Sequence, residues 1–434
     1  MKSFDNWRMW AVVPVLLSLI GIDACSDAMT SASRGAGASR EVAVSYCAAT
    51  VPLWAAYQDG AGGWTRVVPA SDFTIHFPLF TGRGGLATVT RDPLTTATAL
   101  WVQYATADEF ASAAPGDARS ATPTTIALFG TVSGLNGATN DAAVIAFGSG
   151  SAELSSVVGG PNFFVVDRSN GPRDLVAVRS STIADEVLAT GVIIRRTLNL
   201  ANGDTLPPLD FGSAEARVPA AATLTLENVN AGTSSQNVLL TANGTVGALE
   251  RRVFSTAATR QYQGVSDAQL ATGDLHQLLV TTSDGMGNRT ETLWFRNIRD
   301  RRVTLGAPLQ FDAPVNVTTQ PYPRLRALLP SYAEYNRSAN VLYGREDGSS
   351  ITLVMTRAYA RLADIGYDLV VPDLTAAAGF DLEWALASRS PFFWVAEEKG
   401  SSLGSGLGPL VPADGASNLD AQRFGFFAPP SRAP

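Results

Sequence analysis

The sequence predicts an all-β protein made of several β-sandwich domains in tandem. Apolar and polar residues alternate in short runs such as 72–77, 223–227 and 351–356, the period typical of half-buried strands. Asn-Gly and Asp-Gly pairs supply the positive φ of tight hairpin turns, and they stand at 59–60, 202–203, 243–244, 284–285 and 347–348. A helical period is scarce, and only 266–270, behind Ser266, predicts a short helical turn.

Composition limits the size and the partners of these domains. The chain has 434 residues, 46% of them hydrophobic, which is enough for two to four packed domains at about 100–200 residues each. Only 16% are charged and the net charge is −7. Nucleic-acid binding needs a basic surface, so this balance argues against a nucleic-acid partner.

The N-terminus carries a targeting pattern. Lys2 and Arg8 precede an uncharged run of 14 residues, 9–22, which is short for a membrane span but typical of a signal-peptide core. The run ends in Gly-Ile-Asp-Ala-Cys at 21–25 and resembles the lipobox of a bacterial lipoprotein precursor. The resemblance implies that 1–24 is a signal peptide and that Cys25 carries diacylglycerol and an amide-linked acyl chain such as palmitate. The alternative is an ordinary secretory signal cut nearby.

The same resemblance predicts a place in the cell. It implies a protein of the bacterial cell envelope held to the membrane by lipid on Cys25, and Ser26 in place of aspartate favours the outer membrane. Residues 25–40 are small, polar and rich in Gly, Ser and Ala, which is typical of a flexible tether. With Cys25 lipidated, Cys47 has no intrachain partner, and its apolar surroundings predict a buried thiol.

Breaks in composition divide the rest of the chain. Segments rich in Pro, Ala or Ser at 105–125, 204–219 and 321–330 separate four predicted units of sandwich size. These units are a small β domain at 41–105 and β-sandwich domains at 120–206, 217–320 and 321–434.

Two of these units resemble known sandwiches. The strands ALFGTVSGL, DAAVIAFG and FFVVDRSNGPRDLVAVR within 126–179 resemble the carboxypeptidase regulatory-like, prealbumin-type sandwich. The runs ITLVMTRAY, YDLVVPDL and FDLEWAL within 321–390 resemble an immunoglobulin- or fibronectin-type sandwich. Both resemblances imply binding or spacing modules.

Catalytic groups are scarce. His76 lies on the polar side of its strand, and His276 shares a face with Leu278 and Val280, so the first is expected to be solvated and the second half-buried. The usual Cys/His spacings of a zinc site are missing from the sequence, and we predict neither a metal nor a cofactor. Gly400 to Gly404 matches G-x-S-x-G in form, but its glycine-rich setting predicts a loop.

Carboxylates leave one enzymatic alternative open. Glu383 stands beside Trp384, and Glu397 and Glu398 follow Trp394. A glycan hydrolase needs only two such acids across a cleft, so these residues are its candidates.

An arginine patch is the candidate binding site. Residues 295–302 include four arginines and one acid, and on an exposed strand and turn Arg296, Arg299, Arg301 and Arg302 would attract anionic groups. The competing interpretation is an edge strand blunted by charge. Tyr332, Tyr335 and Tyr343 are candidates for a sugar-stacking surface or for the core.

These patterns together favour binding or structure over catalysis. The sequence predicts a lipid-anchored extracytoplasmic protein of the bacterial cell envelope that either binds an envelope glycan or a protein or has a purely structural role, and it does not identify a ligand. The alternative is a carboxylate-dependent glycan hydrolase of the cell surface.

Overall fold

The computed structural model describes the following residues: 40–46, 51–92, 95–112, 126–135, 140–148, 150–155, 162–167, 172–183, 186–230, 232–254, 259–360, 366–386, 392–404, 406–408 and 410–427. Strands make up 58% of the structure and helices 4%. The prediction of an all-β chain built from several sandwiches is therefore confirmed. Cys25, the signal peptide, the tether and Cys47 lie outside the described residues.

The strands of the first half of the chain are β1 (Arg40–Ser45), β2 (Trp54–Asp59), β3 (Thr65–Val67), β4 (Thr74–Leu79), β5 (Arg83–Arg91), β6 (Thr98–Thr106), β7 (Ile126–Ser133), β8 (Asp141–Phe147), β9 (Gly150–Ser155), β10 (Asn162–Asp167), β11 (Arg173–Ile183), β12 (Glu186–Leu198) and β13 (Leu209–Asp210). Those of the second half are β14 (Ala220–Glu227), β15 (Thr233–Leu240), β16 (Val246–Phe254), β17 (Thr259–Gly264), β18 (Leu275–Ser283), β19 (Gly287–Phe295), β20 (Arg301–Thr304), β21 (Val315–Thr318), β22 (Arg324–Leu329), β23 (Ser338–Arg345), β24 (Ser350–Thr356), β25 (Tyr367–Val370), β26 (Phe392–Ser401) and β27 (Ser417–Phe427). The short helices are α1 (Ala107–Ser112) and α2 (Arg357–Ala360), and single 3₁₀ turns lie at Asp267–Gln269 and Leu382–Trp384.

One large sheet runs through the part of the chain that the structure describes. It has 16 strands in the order β3-β2-β5-β6-β24-β23-β26-β27-β19-β18-β15-β16-β12-β11-β8-β9. Four small sheets accompany it, with the orders β1-β4, β10-β7-β13, β17-β14-β20 and β21-β22-β25. Separate sandwiches would each leave open edges, and joining their strands into one sheet removes those edges inside the molecule.

Local sequence explains the strands and their turns. In β14 the residues Ala222, Leu224 and Leu226 are buried and the side chains between them are not, as a strand with one core face requires. The glycine of every Asn-Gly or Asp-Gly pair predicted as a turn has a positive φ, between 55° and 88°. The predicted helical turn behind Ser266 is the 3₁₀ turn Asp267–Gln269.

The predicted first and last units share one core. Trp54, Val89 and Val102 of the N-terminal strands lie in the same buried cluster as Leu353 and Trp394 of the C-terminal strands. Strand β6 pairs in parallel with β24, so the two ends of the described chain are joined by backbone hydrogen bonds. The predicted domain boundaries themselves stay a prediction.

The second and third predicted units are joined by a short strand pairing and by side-chain packing. Strands β12 and β16 pair at only two positions, and the side chains beside this junction pack in a shared cluster. Val176 and Val178 of β11 pack with Leu239 and Leu249 of β15 and β16. Gly247 allows this approach, because a Cβ there would lie 2.4 Å from Val176 Cγ1.

The C-terminal part of the large sheet has one core face and one outer face. In β26, Phe392, Trp394 and Ala396 are buried in the core cluster, which also holds Leu325 of β22 and Leu369 of β25. The alternate residues of β26 point to the opposite side. We call that side the outer face of β6, β24, β23, β26 and β27.

Candidate binding surface

Apolar side chains line up across the outer face. Trp101, Leu342, Val395 and Phe424 belong to a single row of directly opposed residues that also contains Thr352. Directly opposed residues of neighbouring strands share a face, so these side chains point to the same side. Neighbouring strands lie about 4.8 Å apart, so the row from β6 to β27 is about 19 Å long.

Two further aromatic residues widen this row at one end. Phe393 and Phe426 are directly opposed and lie two residues from Val395 and Phe424, on the same face. The aromatic platform is defined as the following residues: Trp101, Leu342, Phe393, Val395, Phe424 and Phe426. Its aromatic side chains are 37% to 70% exposed, although aromatic side chains usually contribute most when buried.

A glycine makes room for one platform ring. Gly344 is directly opposed to Phe393, and a Cβ at Gly344 would lie 2.1 Å from Phe393 Cζ. The ring therefore occupies the space that a side chain at position 344 would fill. Any larger residue at Gly344 would displace the ring.

A row of polar side chains runs parallel to the platform. Gln103, Asn340, Glu397 and Gln422 follow one another across the strands of the outer face, with Val354 between the first two, and Asn288 of the next strand, β19, continues the row. We call these five residues the amide row. It lies two residues along the strands from the platform row, which is about 7 Å.

Glu397 is the fixed centre of the amide row. Asn340 Nδ2 donates to Glu397 Oε2 at 2.6 Å, and Gln422 Nε2 donates to Glu397 Oε1 at 2.8 Å. Lys399 Nζ lies 3.0 Å from Glu397 Oε2. Its carboxylate is thus held by two amides and an ammonium group, whereas the side-chain amides of Gln103 and Asn288 have no hydrogen-bond partner among the residues that the structure describes.

The titratable residues in and beside the amide row are Glu397, Asp420 and Lys399. Burial acts to raise the pKa of Glu397, but Lys399, Asp420 and the two amides together hold it below its ordinary value. Burial and the charge of Glu397 raise the pKa of Asp420 well above its ordinary value. These shifts favour the ionised form of Glu397, which pairs with Lys399 at 3.0 Å, and the neutral form of Asp420.

The four arginines predicted as a binding site have different surroundings. Arg296 Nη1 donates to the carbonyl of Ala271 at 2.7 Å, and the Arg301 guanidinium lies 3.5 Å from the centre of the Phe295 ring. Both are thus held within the fold. Arg302 is 71% exposed and pairs with Glu227 at 3.1 Å, and Arg299 is exposed.

The three candidate acids of a hydrolase do not form a pair. Glu397 and Glu398 are consecutive in β26 and therefore point to opposite faces of the sheet. Glu398 is fully buried, and neither carboxyl oxygen has a hydrogen-bond partner within the described part of the chain. Glu383 is exposed in the 3₁₀ turn that Asp381 caps.

Acidic residues other than these three line two surface clefts of the described structure. Arg289 binds both carboxylate oxygens of Glu334, at 2.9 and 3.2 Å, and Glu291 Oε1 at 3.4 Å, within a cleft of about 420 Å³. A buried arginine that holds both acids makes this arrangement a structural clamp. The other cleft, of about 640 Å³, lies between turns that contain Asp92 and Asp347.

His276 is a buried structural residue. It was expected to be half-buried, and it is fully buried because the sheet β17-β14-β20 covers its strand. Nε2 accepts a hydrogen bond from the Val265 N–H at 2.9 Å, and Nδ1 lies 2.8 Å from the Arg296 carbonyl. These partners require a neutral ring with the proton on Nδ1, and burial lowers its pKa to about 4.

The burial of His276 predicts an acid-sensitive fold. The unfolded chain takes up a proton near pH 6.5 and the folded chain near pH 4, so stability is lost as the pH falls through this window. The expected loss is about 3 kcal/mol, at about 1.4 kcal/mol per pKa unit. Urea unfolding at pH 7, 5.5 and 4 should show a smaller loss for His276→Asn, which donates to Arg296 without titrating. The exposed His76 supplies the control His76→Gln, and parallel curves for wild type and His276→Asn would contradict the assignment.

Other sequence motifs have structural positions. The predicted loop at 400–404 is found only in part, because Gly400 and Ser401 are the last residues of β26 and 402–404 form the turn that follows it. Tyr335 and Tyr343 are fully buried and Tyr332 is 40% exposed, so core packing explains the first two. Within the described ranges, no group of three or more His, Cys, Asp or Glu residues is arranged to hold a metal ion. A helix with the length and apolarity to span a membrane is likewise not found in those ranges.

Comparison with known proteins identifies no family for this chain. The chain matches no protein-family model and no curated protein. Among solved structures it is similar to the Bacillus anthracis TIE protein, over 84% of this chain and 67% of that chain. The identity is 10% and the TM-score is 0.14, so this similarity carries no argument about fold or function.

Proposed function

We propose that this protein is a lipid-anchored protein of a bacterial cell envelope that binds an extended ligand on its aromatic platform. The single observation that carries the binding role is a row of exposed aromatic and half-buried aliphatic side chains beside an amide row in which Gln103 and Asn288 have no partner among the described residues. Soluble proteins rarely expose contiguous apolar surface unless it is used for binding. An apolar surface with a few well-placed polar groups is also the usual composition of a ligand site.

The positions of the acids favour this role over glycan hydrolysis. Hydrolysis of a glycosidic bond requires two carboxyl groups that face each other across the substrate. Glu397 and Glu398 lie on opposite faces of one sheet, and Glu291 and Glu334 are held by the same arginine. The hydrolase therefore stays the second candidate.

The anchor rests on the lipobox-like sequence and has its own test. Full-length protein from host membranes is expected to partition into the detergent phase, with an intact mass that includes diacylglycerol and acyl groups on Cys25. Cys25→Ala should abolish the lipid mass and the partitioning, whereas Cys47→Ala should change neither. Detergent partitioning that survives Cys25→Ala would contradict the anchor.

The binding role is tested by co-sedimentation. Purified full-length protein in detergent is mixed with delipidated envelope fragments of the host and centrifuged. We expect the wild type to sediment with the fragments and the double variant Trp101→Ser/Phe424→Ser to lose at least about ten-fold in affinity, because large aromatic anchors dominate binding. Phe80 is 72% exposed and lies outside the platform, so Phe80→Ser is the matched control. Unchanged binding by the double variant would refute the role of the platform.

A further inference from the structure

The platform and the amide row define the shape of their ligand. Both rows run across the strands, so a ligand that follows them lies across β6, β24, β23, β26 and β27 for about 19 Å. A peptide that adds to a sheet as a strand pairs with an edge, and these are inner strands of the large sheet. The ligand must therefore be recognised through side chains on the face of the sheet.

The amide row indicates which polar groups the ligand carries. A side-chain amide offers two donors and one acceptor oxygen, which matches groups that both donate and accept, above all hydroxyls. Gln103 and Asn288 stand at opposite ends of the row, five strand steps or about 24 Å apart, and both amides are free among the described residues. The ligand therefore has hydroxyl groups along its length.

The pairing of charged residues on the outer face indicates that the ligand carries no charge. Lys399 is the cation of this part of the face, and Glu397 holds it at 3.0 Å. Arg423 of β27 is directly opposed to Ala396, so it lies on the opposite face of the sheet. Binding of an acidic polymer relies on unpaired cations, and the chain as a whole has a net charge of −7. A ligand without charge is the one that these surroundings accept.

We infer that the outer face binds an uncharged polysaccharide, with the carbon-bound hydrogens of its sugar rings on the aromatic platform and its hydroxyls on the amide row. This inference rests on the proposed function and names its ligand class. Trp101 holds one end of the polysaccharide and Phe393, Phe424 and Phe426 the other. Gln103 and Asn288 receive its hydroxyls, and Glu397 keeps Asn340 and Gln422 in place.

Affinity electrophoresis of the full chain in native gels tests this inference. The gels contain hydroxyethyl cellulose or galactomannan, which are neutral, or polygalacturonate, which is anionic. We expect at least one neutral polymer to slow the wild type and Phe424→Ser to abolish that retardation. Gln103→Ala and Asn288→Ala should each weaken the apparent affinity about ten-fold, as the loss of a hydrogen-bond partner does.

Two matched controls separate the platform from the rest of the surface. Phe80→Ser removes an exposed aromatic residue and Asn297→Ala an exposed amide, both outside the outer face, and both should migrate like the wild type. All these variants change exposed or half-buried side chains, so their unfolding midpoints should stay close to that of the wild type.

The outcomes also separate this inference from the proposed function. Retardation by polygalacturonate alone, by none of the three polymers, or equally in Phe424→Ser would overturn the uncharged polysaccharide. If the platform-dependent co-sedimentation with envelope fragments persists in that case, the binding function stands and only the ligand class is wrong. If the co-sedimentation is also independent of the platform, both fail.

Discussion

Arg196→Met is expected to lower the free energy of unfolding by about 3–5 kcal/mol, the cost of leaving buried charges unpaired. Arg196 Nη1 donates to Asp174 at 2.9 Å, and Nη2 donates to Asp274 at 2.6 Å. The two aspartates are 1% and 0% exposed. They come from β11 and from the turn before β18, so this arginine joins the second and third predicted units. Chemical denaturation at pH 7 measures the effect.

Two further variants make this result specific. Replacing both aspartates by asparagine in the Arg196→Met background removes the unpaired charges and should restore part of the lost stability. Arg326 pairs with Asp368 at 2.7 Å on the surface, where ion pairs contribute little, so Arg326→Met should keep a midpoint close to that of the wild type. An equal loss in both single variants would contradict the special role of Arg196.

The second large effect is expected from Glu398→Gln, and it depends on pH. Burial raises the pKa of Glu398 to about 8 against the opposing charge of Arg357, with Glu334 raising it further. Below pH 4.5 the carboxyl is protonated in both states, and above it the unfolded chain releases its proton first. The wild type should therefore lose about 4 kcal/mol from this group as the pH rises from 4.5 to 8. The glutamine variant should not show this loss.

Urea unfolding of both proteins from pH 5 to pH 9 measures this difference. The curves of stability against pH should be close at pH 5, and the variant should be the more stable protein at pH 8 and above. Glu383→Gln alters an exposed carboxyl and is the matched control. Glu250, whose pKa burial raises to about 7, adds a similar decline to both proteins and cancels in the comparison. Parallel curves for the wild type and Glu398→Gln would show that Glu398 is not protonated in the folded state.

Local features of the fold were predictable from the sequence. Hairpin turns at Asp-Gly and Asn-Gly pairs depend on the φ of one residue, and alternation within a strand such as β14 depends on one buried face. The 16-stranded sheet was not predictable, because the pairing of β6 with β24 joins residues 99–104 to residues 350–355. Such pairing depends on the packing of distant segments, which leaves no local pattern.

The aromatic platform was not predictable from the sequence, for a related reason. In β26 the run Phe-Phe-Trp-Val-Ala is apolar in both phases of the strand, so alternation does not reveal which phase faces outward. Such a run, together with the aromatic residues at 424 and 426, is the signal that points to a second apolar face. The four arginines within 295–302 were predicted as a binding site from their charge alone. In the structure Arg296 binds a backbone carbonyl and Arg301 lies over an aromatic ring.

The most direct test of the binding surface is hydroxyl-radical footprinting of the full-length protein with and without envelope fragments. Aromatic and sulfur-containing side chains react most readily, and the platform holds four aromatic ones. Binding on the outer face predicts strong protection of Trp101, Phe393, Phe424 and Phe426, with Phe80 and the peptide that contains Arg299 and Arg302 unchanged. Protection of that arginine-rich peptide with an unchanged platform would contradict the outer face as the binding surface.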